Sequence, residues 1–214
     1  MKTFIKNRWL LVWFIASMSL FALPSQAATI SQDDPEKMVS TLSDVLVKEI
    51  NLQRAELESS SEKVKLFADE YVLPYVDTAK MARYVMGKYW RTATEKQQSA
   101  FVSAFSNTLI RSYSKSLLKL KIESVSVKPA QSIKPGRVTV SSEVVQADGN
   151  KTAVVYRAYL NSKTNQWLLY DVAIEGISML LNYRKAYGSD FSKKGIDAVI
   201  AEMEAKNTQS DEKV

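Results

Sequence analysis

The hydrophobic pattern of the chain changes from a helical period to an alternating one, and later changes back. Up to about residue 120, apolar residues recur every three or four positions, as on one face of a helix. Helical spacing returns after Gly176. Between these regions, apolar and polar residues alternate in four segments, residues 122–133, 137–147, 151–161 and 166–175. The pattern predicts an α+β fold in which N-terminal helices pack on a curved four-stranded antiparallel sheet and C-terminal helices follow.

The first 27 residues are predicted to be a secretory signal peptide. Lys2, Lys6 and Arg8 precede the uncharged run 9–23, and small residues mark a cleavage site near Ala27. The alternative is an N-terminal membrane anchor, but the run is shorter than the roughly 20 apolar residues that span a bilayer. We therefore expect an exported protein. It would consist of one domain, residues 28–206, and a disordered tail, residues 207–214.

The absence of His and Cys from the chain excludes many kinds of site. Serine–histidine triads, cysteine nucleophiles and zinc fingers all need at least one of these residues. Glycine-rich phosphate loops are missing as well. The net charge of the chain is +6, and removal of the signal peptide with its three basic residues would lower it by three. The remaining charge is small, which makes the chain a poor candidate for nucleic-acid binding.

Capping residues predict where the helices begin and end. Asp34 begins a helix over 35–57, and Asp77 begins a short helix that closes at Gly87. Thr94 and Gln97 form a capping box for the longest helix, over about 94–120. After Gly176, a helix is expected to end near residue 188 and a last helix to start near residue 195.

The longest helix carries an apolar stripe, and alternation gives the sheet one apolar face. The stripe contains Phe101, Phe105, Leu109, Tyr113 and Leu117. Residues spaced by four form a stripe that turns slowly around the helix. Such a stripe predicts contact with a curved surface, which we expect to be the sheet. Strand alternation assigns Leu168, Tyr170 and Val172 to its apolar face. Such surfaces usually form a filled core, and a ligand pocket is the alternative.

Carboxylates offer little catalytic chemistry. Asp171 and Glu175 share a strand face, but their separation argues against a paired-carboxylate mechanism. An outward ion pair with a neighbouring Arg or Lys is the simpler interpretation. We expect no enzyme activity, no metal and no cofactor.

Two blocks of residues resemble the MlaC family, also called the toluene-tolerance family. The first is Leu73-Pro74-Tyr75-Val76-Asp77, followed by Met81-Ala82-Arg83 and Gly87-Lys88-Tyr89-Trp90-Arg91; the second is Tyr170-Asp171-Val172-Ala173-Ile174-Glu175-Gly176-Ile177-Ser178, followed by Asn182-Tyr183-Arg184 and Gly195-Ile196-Asp197. The resemblance implies an NTF2-like fold that holds the acyl chains of a phospholipid between sheet and helices. It also implies a monomeric periplasmic carrier working between an outer-membrane lipoprotein–porin complex and an inner-membrane ABC transporter. The expected role is maintenance of outer-membrane lipid asymmetry.

Periodicity and this resemblance together give two sets of candidate residues. The expected lipid-binding residues are Leu73, Val76, Met81, Val85, Phe101, Phe105, Leu109, Tyr113, Val140, Val144, Val154, Tyr156, Tyr170, Val172, Ile174, Ile177 and Leu181. The expected residues for docking to partners or to lipid headgroups are Arg83, Arg91, Arg111, Lys115 and Lys119.

Two other functions remain open at this point. One is an NTF2-like enzyme with a carboxylate base in an apolar pocket, which requires an inward Asp or Glu. The other is a protein-interaction module with a filled core and basic docking residues.

Overall fold

A computed structural model describes residues 29–209, apart from the side chains of residues 115–117 and 209. The predicted signal peptide and residues 210–214 lie outside this range. The helices are α1 (Pro35–Ser59), α2 (Ser61–Tyr71), α3 (Thr78–Met86), α4 (Glu95–Lys119), α5 (Met179–Lys194) and α6 (Ile196–Gln209). The strands are β1 (Ile122–Val127), β2 (Gln131–Lys134), β3 (Arg137–Gln146), β4 (Lys151–Asn161), β5 (Gln166–Ile174) and β6 (Ile177–Ser178). The α+β prediction is confirmed.

Two predicted helix starts are confirmed by their hydrogen bonds. Asp34 Oδ1 accepts from the backbone N–H groups of Glu36 and Lys37 at 2.9 and 3.0 Å. In the capping box, Gln97 N–H donates to Thr94 Oγ1 at 3.2 Å, and Thr94 N–H donates to Gln97 Oε1 at 3.0 Å. Each cap satisfies backbone donors that a helix start leaves unpaired.

The sheet is antiparallel with the order β1-β3-β4-β5-β6, and β2 also pairs with β3. The predicted count of four strands was too low for two reasons. First, the segment around Pro129 divides the predicted first strand into β1 and β2, because proline lacks the N–H that a continuous strand would donate. Beyond β5, Glu175 and Gly176 have φ of 48° and 78°, as a two-residue hairpin turn needs, and the chain returns as β6.

A β-bulge at Tyr170 changes which residues of β5 face each side of the sheet. Arg157 pairs with Asp171, but the next residue of β4, Ala158, pairs with Leu169. Tyr170 is therefore an extra residue, and alternation reverses there. The assignment of Leu168 and Tyr170 to the face of Val172 was wrong for this reason.

The described residues form two hydrophobic cores. The sheet core lies between α1 and one sheet face, and its buried residues are Ile30, Met38, Val39, Leu42, Tyr75, Val140, Ala158 and Leu169. The helical core lies among α3, α4, α5 and α6, and includes Met81, Val85, Met86, Phe101, Phe105, Tyr170, Leu180, Phe191, Val199 and Met203. The helix that covers the sheet core is thus α1, whereas the aromatic part of the α4 stripe packs against other helices.

The C-terminal helices extend further than their sequence indicates. Helix α5 continues through Gly188 to Lys194, because Tyr187 and Phe191 pack their rings against Phe101. Helix α6 includes Asn207, which the sequence assigned to a polar tail. Its side-chain amide donates to the Ala104 carbonyl at 3.0 Å and so attaches the end of α6 to α4.

Gly87 and Gly188 should respond oppositely to replacement by Ala. Gly87 closes α3 at φ 57°, and an added Cβ would lie 3.3 Å from Arg184 Nη2. Gly188 has a helical backbone, and no atom lies within 4 Å of an added Cβ. We expect Gly87→Ala to lower the free energy of unfolding by about 1–3 kcal/mol and Gly188→Ala to raise it by about 0.5–1 kcal/mol. Urea unfolding of both variants measures this, and equal destabilisation would contradict the assigned end of α5.

Candidate functional site

Six expected lipid-binding residues lie inside the two cores. Met81, Val85, Phe101, Phe105 and Tyr170 belong to the helical core, and Val140 belongs to the sheet core. The rings of Phe101 and Phe105 stack with centroids 5.9 Å apart, and Tyr183 meets Phe105 edge-on at 5.3 Å. The structure therefore does not bring the aromatic part of α4 together with the valines of the sheet.

Other expected residues lie outside both cores on β3, β4, β5, β6 and the first turn of α5, and we call this set the apolar end. It consists of Val144, Val154, Val172, Ile174, Ile177 and Leu181. Val144 and Val154 are each 8% exposed but belong to neither core cluster. Ile174 pairs with Val154 across one strand and with Ile177 across the other.

The apolar end presents large aliphatic side chains to solvent. Ile177 is 67% exposed, Leu181 is 59% exposed and Ile174 is 38% exposed. Exposed aliphatic side chains that cluster in this way mark a binding surface more often than those that occur singly.

Leu109 and Tyr113 continue the α4 stripe beyond the helical core. Leu109 packs against the edge of that core, and the Tyr113 ring meets Tyr183 of α5 edge-on at 6.4 Å. Burial, together with the phenol of Tyr183, raises the pKa of Tyr113, so its hydroxyl stays neutral at ordinary pH. Tyr156 packs against the sheet core, Val76 contacts both cores, and Leu73 is half-buried beside them.

Asp171 holds the turn that presents Ile177 and Leu181. Its carboxylate is 1% exposed and forms an ion pair with Arg157 of β4. It also accepts from Ser178 Oγ at 2.6 Å and from the Leu180 backbone N–H at 3.0 Å. The predicted ion pair with a neighbouring Arg is confirmed, but the carboxylate is buried under the start of α5 instead of facing outward.

Asp77, the predicted cap of α3, has a similar positioning role. Oδ1 accepts from Lys80 N–H at 2.7 Å, and Oδ2 accepts from the Tyr159 hydroxyl. Burial and the Asp77 carboxylate both raise the pKa of Tyr159. The carboxylate thus joins the start of α3 to β4.

The expected docking residues fall into separate regions. Arg83 and Arg91 are exposed at the end of α3 and just after it. Arg111 and Lys119 instead line a groove between α2, α4 and α6, with a volume of about 980 Å³. In this groove Arg111 Nε donates to Asn207 Oδ1 at 3.1 Å. Lys115 belongs to α4, but its side chain lies outside the description.

The sequence did not reveal that groove. Its floor is the α4 face opposite Phe101 and Phe105, where small and polar residues such as Ser103, Asn107 and Ser114 lie. This face has no apolar period, so only the packing of α2 and α6 beside it defines the groove.

Arg184 adds a cation beside Gly87 that was not among the expected docking residues. The contact between Gly87 and the Arg184 guanidinium brings α5 to the end of α3, where Arg83, Lys88 and Arg91 are exposed. No Asp or Glu occurs between Thr78 and Thr94. Within residues 29–209, none of these four cations forms an ion pair. We call Arg83, Lys88, Arg91 and Arg184 the basic surface.

Among the described residues there is neither a metal site nor a membrane-spanning helix. Between residues 29 and 209, no three acidic side chains come together in an arrangement that could hold a metal ion. No helix in the same range is long and apolar enough to cross a bilayer.

Comparison with known proteins identifies the family. The model of the MlaC protein family matches residues 40–205, which is most of the chain. The chain belongs to the MlaC family. The predicted resemblance is therefore confirmed.

Two MlaC-like proteins show how far this relationship extends. The intermembrane phospholipid transport system binding protein MlaC of Haemophilus influenzae is 21% identical over 200 residues, which are 92% of this chain and 94% of the relative. A phospholipid-binding protein from Ralstonia solanacearum, solved in complex with a phospholipid, is 26% identical with a TM-score of 0.75. That match covers 83% of this chain and 98% of the solved one. The fold is thus shared with a protein that was solved in complex with a phospholipid.

Removal of the Asp171 carboxylate should destabilise the chain markedly. In Asp171→Ala, Ser178 and the Leu180 N–H lose a buried acceptor and Arg157 loses its partner. We expect a loss of about 2–4 kcal/mol in the free energy of unfolding, moderated because the Arg157 side chain is 37% exposed. Chemical denaturation measures it.

The matched control is Glu143→Ala on the same sheet. Glu143 pairs with Lys151 at 2.9 Å, but both side chains are exposed, so little change in the unfolding midpoint is expected. Equal effects of the two substitutions would mean that Asp171 does not fix the start of α5.

Proposed function

We propose that this chain is a periplasmic phospholipid carrier, in which the apolar end receives the acyl chains. The main support is the match to a solved relative that holds a phospholipid, over 98% of that relative's length. The exposed Ile174 and Ile177 also support it, because they pair across β5 and β6 and form an apolar surface that the protein's own packing leaves uncovered. The H. influenzae relative is named for intermembrane phospholipid transport, which agrees with a carrier role.

Energetics explain why such a carrier is needed and why it can release its cargo. Each methylene gains about 0.8 kcal/mol on leaving water, so two acyl chains with roughly 28 methylenes gain on the order of 20 kcal/mol. Free phospholipid therefore crosses water very slowly. Transfer of the acyl chains from a bilayer to an apolar site changes their free energy little, so loading and unloading stay nearly balanced. A partner that uses an external energy source can then set the direction.

The charged headgroup should remain at the surface of the carrier. Burial of a phosphate without a partner costs free energy because the charge loses its hydration. Acyl chains have no polar group and pay no such cost on entering an apolar site. The side chains of the apolar end are all uncharged, and they therefore bind chains without selecting a headgroup.

We further propose that the basic surface docks the carrier on its transport partners. Those partners would be an outer-membrane lipoprotein–porin complex and an inner-membrane ABC transporter, and transfer between them would maintain lipid asymmetry. The support is electrostatic, because four exposed cations that form no ion pair within residues 29–209 attract an acidic surface and speed its encounter. The carrier would act as a monomer after removal of residues 1–27.

The two competing functions have less support. An enzyme needs an available carboxylate, but Asp171 is 1% exposed and accepts hydrogen bonds from Arg157, Ser178 and the Leu180 N–H. A protein-interaction module could use the exposed Ile177 and Leu181 as well, and the carrier is favoured over it by the solved relative that holds a phospholipid.

The test is to purify the chain without residues 1–27 and without detergent, and to identify bound lipid by native mass spectrometry and extraction. We expect co-purified phospholipid. Ile177→Glu should lower its occupancy roughly fivefold or more, which corresponds to about 1 kcal/mol, because the new carboxylate would lie against the acyl chains. Ile177 is largely exposed, so the substitution should not unfold the chain.

The matched control is Ile133→Glu. Ile133 is 53% exposed on β2, away from the apolar end, and should retain wild-type occupancy. A wild-type chain that is consistently free of lipid would overturn the proposed function. Equal occupancy in both variants would overturn the location of the site.

A further inference from the structure

The hydroxyl of Ser142 is buried in an apolar part of the sheet without a partner. Ser142 is 3% exposed, and its Oγ has no hydrogen bond to any atom of residues 29–209. Val127 of β1 and Val154 of β4 lie directly opposite it, and Val140 and Val144 lie two positions before and after it on β3. A hydroxyl enclosed by four valines lowers the stability of the free protein, so its presence needs an explanation.

The position of Ser142 connects the sheet core to the apolar end. Residues two apart on a strand share a face, so Ser142 points to the same side as Val140 and Val144. Val140 is fully buried in the sheet core, whereas Val144 belongs to the apolar end. The hydroxyl thus lies two residues along β3 from Val144 toward the sheet core, a distance of about 7 Å.

A bound phospholipid would supply an acceptor of the right chemistry at this depth. An acyl ester carbonyl is the first polar group above each hydrocarbon chain. It is uncharged, so it can be buried at low cost if it accepts a hydrogen bond. A phosphate could not be buried here, since none of the surrounding side chains is a cation.

We propose that the Ser142 hydroxyl donates a hydrogen bond to an acyl ester carbonyl of the bound lipid and so selects ester-linked over ether-linked chains. This inference rests on the proposed function. It adds the chemical class that the site recognises, namely acyl esters, and assigns Ser142 as a specificity-determining residue.

The experiment offers the chain an equimolar mixture of two lipids in vesicles, a diacyl phosphatidylethanolamine and its dialkyl ether analogue with equal chain lengths. Native mass spectrometry then gives the ratio of the two complexes. Wild type should favour the diacyl lipid by about three- to tenfold, as expected for one neutral hydrogen bond. Ser142→Ala should load both lipids equally, and Ser142→Thr, which keeps a hydroxyl, should restore the preference.

Ser141→Ala is the control. Ser141 neighbours Ser142 but points to the other face of the sheet, where it pairs with Val155. It should keep the wild-type ratio. Without lipid, Ser142→Ala should be at least as stable to urea as wild type, because it removes an unsatisfied hydroxyl.

Four results would count against these proposals in different ways. Equal loading of both lipids by wild type, or an unchanged preference in Ser142→Ala, overturns the role of Ser142 alone. A clear loss of stability in unliganded Ser142→Ala would mean that the hydroxyl serves folding, which also overturns it. Failure of wild type to take up either lipid overturns the proposed function, and the inference with it.

Discussion

The buried carboxylate of Asp171 is the interaction on which the arrangement of the sheet and the C-terminal helices depends. It receives donors from β4, from the residue that ends β6 and from the first turn of α5. A carboxylate with this many partners tolerates little displacement of any of them. The hairpin turn at Glu175 and Gly176 is therefore fixed at both ends, and Ile177 and Leu181 are presented on a rigid support.

The bulge at Tyr170 determines how the two cores share strand β5. Because one extra residue precedes Asp171, Leu169 joins the sheet core while Tyr170 turns to the helical core. There it stacks with Tyr84 of α3 at 6.1 Å and meets Tyr159 edge-on at 6.0 Å. In a regular strand Tyr170 would share the face of Val172, but the extra residue puts Leu169 opposite Ala158 on that face instead.

These particular residues also show what the sequence could and could not predict. Asp34, Asp77, Thr94 and Gln97 were predictable as caps, because a cap is a local arrangement of a side chain and the next few backbone N–H groups. The start of β4 at Lys151 and its end at Asn161 were equally clear from alternation and the flanking turns.

The bulge was not predictable, since alternation assumes that each residue advances the strand by one step. Nor was the partner of Phe101 and Phe105, because an amphipathic period shows that a helix face is buried without showing against what. The expected site residues are therefore divided: Val144 and Val154 lie outside both cores, whereas Phe101 and Phe105 belong to the helical core. Ser142 gave no sequence signal, because only the packing of its four valine neighbours makes its hydroxyl exceptional.

The separation of the two cores from the apolar end has a functional consequence. Stability comes mainly from residues that are almost fully buried, such as Met38 in the sheet core and Phe101 in the helical core. Val144 and Val154 lie outside both clusters, so a ligand that displaces side chains there leaves both cores intact. The proposed carrier would have to open and close its site repeatedly without unfolding. The proposed binding region lies beside the cores and is fixed through Asp171 at one edge, so it would meet that requirement with aliphatic side chains and no group that titrates near neutral pH.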